Sequence, residues 1–229
     1  MLTHAFKRLH SFCMQNRFLF LLLAILCYIL AFPFLQPFFR LRVLLSLALT
    51  FLLISAVYAV SENKKTTVIA CGLAVLWGLL QWASGRIGEP ALQLADGIIA
   101  IVFLSFIIYN SLLHFGRSSK VDFNIVIASV VVYLLLALVW AEAYNLIETI
   151  SPGSFNFAVV IPDAGASRYT YFSFVTITTL GYGDIIPATT LARSVSMLEA
   201  FVGQTYLVVL VARLVGMHIA QSLREEKGN

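Results

Sequence analysis

The chain has 229 residues, 60% of them hydrophobic and 11% charged, with a formal net charge of +4. That balance excludes an ordinary soluble domain and places the chain in a membrane. The positive excess reads as basic loops beside anionic lipid headgroups and not as a nucleic-acid surface.

A spanning helix needs about 20 mainly apolar residues. Five stretches free of Asp, Glu, Lys and Arg meet or approach that length: Phe18–Phe39, Val43–Ser61, Thr66–Gly85, Gly97–Gly116 and Phe123–Ala141. A sixth runs from about Leu191 to Met217 and contains Glu199 and Arg213. Lys7, Arg8 and Arg17 precede the first run, as in a secretory leader. Its 22 uncharged residues exceed a typical signal core, and no small-residue cleavage site follows, so a retained span is expected. Pro33 and Pro37 are expected to end it.

Ser61–Lys65 and Gly85–Pro90 read as short turns, so the first four spans are expected to form an antiparallel bundle over residues 18–116, after a segment 1–17. Trp77 and Trp82 are candidate interfacial anchors of the third span. Cys13, Cys27 and Cys71 are an odd number, which argues against a disulfide framework and against a metal site. The fourth span holds no Arg or Lys; Asp96 marks one end, His114 and Arg117 the other. A polar turn, Arg117 to Asp122, leads into the fifth span, Phe123 to Tyr144. Thr149 to Ala166, with two Pro and two Gly, reads as a loop.

Ser167 to Val175 can form a helix of two to three turns, and Thr176-Ile177-Thr178-Thr179-Leu180-Gly181-Tyr182-Gly183-Asp184 follows it. Gly181 and Gly183 open dihedrals closed to residues with a Cβ. Alternating them with Leu180 and Tyr182 lets successive carbonyls point one way while side chains pack outward. A row of carbonyls facing an axis can replace the water shell of a monovalent cation. Thr179 adds a hydroxyl at the inner end of the row.

This stretch resembles the selectivity filter of the potassium channel superfamily, T-V-G-Y-G-D, and reads T-L-G-Y-G-D here, with Leu180 in place of Val. The resemblance is to bacterial-type channels with six transmembrane spans and one pore loop. It implies an all-α integral membrane protein: a four-helix N-terminal bundle, then a pore module of outer helix, pore helix, filter and inner helix over 123–217, with a short cytoplasmic tail at 218–229. It implies a homotetramer, because one pore loop cannot enclose an ion pathway. Potassium ions would sit at Thr179, Leu180, Gly181 and Tyr182, with Gly183 completing the filter. Membrane lipids are the other expected partners; no cofactor, nucleic acid or small-molecule substrate is expected, and the chain is not expected to be an enzyme.

The resemblance also fixes an orientation. Both termini are expected in the cytoplasm of a cell membrane crossed several times. Lys7, Arg8, Arg17, Lys64, Lys65, Arg117, Lys120, Arg213, Arg224 and Lys227 then lie inside, and Arg40, Arg42, Arg86, Arg168 and Arg193 outside, ten against five. Voltage-gated relatives carry Arg or Lys at every third position of the fourth span; this bundle matches them in span count only, so strong voltage sensing by that helix is not expected. Relatives often attach ligand-sensing domains after the sixth span, and none is expected here.

The residues expected to support the filter are Thr178, Asp184, Tyr171 and Phe172, the last two at an aromatic cuff, and Glu199. Val175 stands where some relatives have a Glu bonded to the filter-end Asp, so Asp184 needs another partner, a nearby Tyr or Thr. For Glu199, a structural hydrogen bond and a protonation switch are both open. Gly203 matches the family's hinge glycine, with close packing as the other reading. Gln204, Leu207, Val211 and Val215 are expected to line the cavity. Glu142, Glu148, Asp163 and Asp184 give the outer face an acidic bias, and each could equally be an ordinary solvated carboxylate. Two rival functions remain: a weakly selective cation channel, and a non-conducting sensory or regulatory membrane protein.

Overall fold

Residues 16–35, 51–59, 63–117, 122–158 and 167–228 are described by the computed structural model of the chain. The first helix, α1, spans Arg17–Leu35. Its last described residue, Leu35, lies between Pro33 and Pro37, the two prolines expected to end it. Residues 51–59 are helical and are called α2. Parts of the first two expected spans, with Pro37, Arg40 and Arg42, lie outside the described residues, as do Lys7, Arg8, Cys13 and Asp163.

Helix α3, Lys64–Ile87, ends at Gly88, whose φ of 71° lets its N–H reach the Ser84 carbonyl. Helix α4, Pro90–Arg117, begins on a proline whose missing N–H would be unpaired there anyway. The turn expected over Gly85–Pro90 therefore shrinks to Gly88 and Glu89. Asp96, expected at the span's end, lies inside α4 and accepts a hydrogen bond from the Ser84 hydroxyl at 3.2 Å, pinning the α3–α4 hairpin.

Helix α5, Phe123–Ile150, starts at Asp122, whose Oδ1 accepts the Ile125 N–H at 2.9 Å. It runs six residues beyond Tyr144. The loop expected after it contains a strand, β1 (Phe155–Phe157), which pairs antiparallel with β2 (Ile185–Pro187) in the register Phe155↔Pro187. Between the strands lies α6, Ser167–Ile177, and after them α7, Thr190–Gly228, which carries helix through the expected tail.

Among the described residues, four helices are long and apolar enough to cross a membrane: Lys64–Ile87, Pro90–Gly116, Phe123–Ile150 and Thr190–Leu223. Arg17–Leu30 is a shorter apolar helix. The main core joins the N-terminal helices to α5. Leu21 and Ile25 of α1, Leu52 of α2, Phe103 and Ile107 of α4, and Val131 and Leu135 of α5 are all buried in it. The bundle is thus seated on the outer helix of the expected pore module.

Candidate functional site

Helix α6 is held at its start by aromatic rings and at its middle by polar contacts. Phe172 meets Tyr144 edge-on at 4.9 Å and Phe155 at 5.3 Å, and Phe155 meets Tyr169 at 5.5 Å. Edge-to-face pairs of this kind add to the stability of simple burial. Phe172 therefore belongs to an aromatic cluster with Tyr144 and Phe155. Tyr171, its neighbour, points elsewhere, because adjacent helical residues lie about 100° apart. Its hydroxyl donates to Asp184 Oδ2 at 2.7 Å.

That bond supplies the partner Asp184 was missing. It also pushes the Tyr171 phenol up to about 12, because the carboxylate accepts its proton in a hydrogen bond. Asp184 is tied twice more: Oδ1 accepts the Ile185 N–H at 3.1 Å, and its carbonyl accepts the Ala158 N–H at 2.9 Å. The β1–β2 ribbon thus anchors the outer end of the expected filter.

The inner end is anchored by α6. A helix leaves its last carbonyls without intrahelical partners. Here the next N–H groups take them: Thr178 N–H donates to Phe174 O at 3.2 Å, Thr179 N–H to Thr176 O at 2.9 Å, and Leu180 N–H to Val175 O at 3.0 Å. Gly181 N–H also reaches Val175 O, at 3.2 Å. The donors of Thr178 to Gly181 thus point back at the helix. Among the described residues, no donor meets the carbonyls of residues 178–183.

The backbone between the two anchors alternates in hand. Thr179 has φ 59°, Gly181 59° and Gly183 78°. In an ordinary strand, successive peptides flip from side to side; a left-handed residue at every second position undoes that flip and lets carbonyls face one way. Thr179 is β-branched and seldom adopts positive φ, so it is a strained residue at a candidate site. Leu180 and Tyr182 are 55% and 66% exposed, so neither side chain finds its packing within the chain.

Behind α6, Glu199 of α7 is fully buried. It accepts the Tyr144 hydroxyl and lies in hydrogen-bond contact with the Ser173 hydroxyl. Ser173 also donates to Ala137 O at 2.7 Å. The carboxyl thereby ties α5, α6 and α7 together. One turn on, Gly203 packs under Ile177, whose carbonyl accepts the Tyr133 hydroxyl at 3.0 Å. Tyr133 stacks on Tyr206 at 6.0 Å, and Tyr206 donates to Ser129 O at 2.8 Å.

On α7, Gln204, Val211 and Val215 are exposed, whereas Leu207 is half-buried. Val208, 67% exposed, completes an i, i+4, i+7, i+11 stripe that starts at Gln204 and that the sequence reading missed. Tyr144, Ser173 and Tyr133 were missed too. Their hydroxyls gave no local signal, because their partners are 26 to 55 residues away in the chain. Further along α7, Arg213 donates to the carbonyls of Phe115 and Gly116 at 2.9 and 3.1 Å. Its guanidinium lies 4.1 Å from the Phe115 ring centre.

Of the expected acidic outer residues, Glu148 is engaged with its own loop: it accepts the N–H groups of Gly153 at 2.8 Å and Phe155 at 3.2 Å. Glu142 is half-buried on α5. Among the described residues, no group of three or more His, Cys, Asp or Glu could hold a metal ion.

Residues 123–219 match a family model described as ion channel. The matched segment takes in α5, the ribbon, α6, the alternating stretch and most of α7, and it indicates ion channel activity. With four helices able to cross a membrane, it indicates a multi-pass membrane protein. No curated protein matches the chain.

Proposed function

We propose that the protein conducts potassium passively and selectively across a membrane as a homotetramer. The observation that carries this reading is the alternation of left-handed φ at Thr179, Gly181 and Gly183, with the N–H groups of Thr178 to Gly181 turned back onto α6. From Thr178 to Gly181 the backbone donors are taken up by α6 while, among the described residues, the carbonyls have no donor, which suits a cation and not an anion. Thr179, Leu180, Gly181 and Tyr182 would offer carbonyls in place of the ion's water, and Thr179 its hydroxyl; occupancy of several sites lets one ion displace the next.

The C-terminal end of α6 adds partial negative charge where a dehydrated cation would wait. Four copies are required, because one such stretch lines only one wall of a pathway. The exposed Leu180 and Tyr182 side chains are surfaces that neighbouring copies would cover. Gln204, Val208, Val211 and Val215 would face the cavity below, and an apolar ring there can close by dewetting.

Cation flux in liposomes under opposed potassium and sodium gradients tests this reading, with Tyr182→Ala and Gly181→Ala alongside. Potassium flux should greatly exceed sodium flux, and both variants should lose flux or selectivity. Equal flux of the two ions would instead favour the weakly selective channel, with Leu180 loosening the filter. A purified tetramer that passes no ion at any pH, tension or lipid composition would favour the non-conducting protein.

A further inference from the structure

We propose that the groove between α2 and α3 binds one anionic phospholipid, with an acyl chain in the groove and its phosphate at Lys64 and Lys65. The groove is a cavity of about 510 Å³, within the usual ligand-pocket range of roughly 300–1,000 Å³. Its floor is Leu53 and Ala74, both buried, and its rim is Ile54 and Val75, both largely exposed. The wall is almost wholly apolar, apart from Tyr58, Thr67 and Cys71.

Gly78 keeps the far end open. Its backbone is ordinary helix, so no special dihedral demands a glycine, and helix propensity alone favours alanine there. A Cβ there would meet Leu53 Cδ1 at 3.9 Å, an ordinary contact. The consequence of the glycine is the space itself.

Charge and length identify the occupant. Thr67 and Gly78 are 11 residues apart on α3, which at about 1.5 Å per residue is roughly 16 Å. That is about half of a ~30 Å hydrocarbon core, the depth of one leaflet. The Thr67 end of the groove lies one turn from Lys64 and Lys65, both exposed. The two lysines bring positive charge to one end of an apolar slot of one leaflet's depth; in sequence, Glu62 precedes them by two and three residues. A sterol or a neutral acyl chain would leave the lysines unused; a phospholipid with a net negative headgroup uses both features. This inference does not depend on the protein being a conducting channel.

The test is native mass spectrometry of the purified full chain equilibrated with phosphatidylglycerol or phosphatidylcholine of identical acyl chains. A second readout is the alkylation rate of Cys71 by a maleimide in a Cys13→Ser, Cys27→Ser background. Phosphatidylglycerol should be retained over phosphatidylcholine, by roughly fivefold for each lysine engaged. It should also slow alkylation of Cys71, which is exposed and lines the groove. Lys64→Ser with Lys65→Ser should bring the two lipids to parity, and Gly78→Leu should remove retention of both. The lysine substitutions are on the surface and decide the matter if Gly78→Leu fails to fold. Equal retention in the parent and the lysine variant would overturn the proposal. So would Cys71 alkylation that ignores the headgroup, as bulk lipid or a covering subunit would produce.

Discussion

Gly203 lies so close beneath Ile177 that a Cβ there would stand 2.5 Å from Ile177 Cγ1 and 2.9 Å from its carbonyl oxygen. The side-chain atom could rotate away; the carbonyl is backbone and fixes the end of α6, just before the filter. Close packing is thus a sufficient reason for this glycine. On an exposed helix, Gly→Ala would stabilise by about 1 kcal/mol. Here Gly203→Ala should instead destabilise by about 1–3 kcal/mol through overpacking. Thermal unfolding of the purified protein checks the sign. A pure hinge role predicts the opposite: equal or higher stability with only the open probability changed.

Glu199 sits at a count of protons that a lone carboxylate does not balance. Ser173 has one hydroxyl proton and two acceptors in reach, Ala137 O and Glu199. A carboxyl carrying a proton, or an amide, can donate to Ser173 and still accept from Tyr144. Glu199→Gln should therefore fold with a loss under about 1 kcal/mol, whereas Glu199→Ala should lose about 1–3 kcal/mol for each hydroxyl left unpaired. Conductance against external pH, measured in Glu199→Gln, separates the structural role from a protonation switch. An unchanged response removes the switch.

Tyr171 and Asp184 join α6 to the outer end of the proposed filter. Tyr171→Phe removes the hydroxyl with little change in volume, and should shorten sustained potassium current while sparing tetramer assembly. The sign of the pH effect follows from the raised phenol. The bond's contribution is complete below the ordinary tyrosine value near 10 and is lost as pH rises through about 12. Current decay should therefore be unchanged across neutral pH in the parent protein, and already fast in the variant. Equal decay in both would show that β1 and β2 hold Asp184 without the tyrosine.

Arg213 caps the end of α4 from α7, between the exposed Val211 and Val215. A basic side chain on the last carbonyls of a helix is favourable. Arg213→Ala should cost about 1 kcal/mol of stability and shift open probability, because it uncouples the inner helix from the bundle. Selectivity should stay the same, since the filter lies at the other end of α7. A change in the potassium-to-sodium permeability ratio in this variant would refute that separation.

The membrane character, the short helix and the alternating-glycine stretch were legible from residue order alone. These are local properties: apolar length, the absence of charge, and the freedom of Gly181 and Gly183 to take positive φ. The exposed stripe from Gln204 was partly legible for the same reason, since helical spacing is set by the backbone, and Val208 joins Val211 and Val215 on it. What the tertiary structure decided was every partner. Tyr171 and not a threonine holds Asp184, Tyr144 and Ser173 hold Glu199, and the β1–β2 ribbon closes a segment that reads as loop. Gly203 could be weighed between hinge and packing only once Ile177 stood beside it. Such pairs join residues far apart in sequence, and composition and period carry no information on distance in space. Local order chose the elements, and the packing of α5, α6 and α7 chose what each side chain meets.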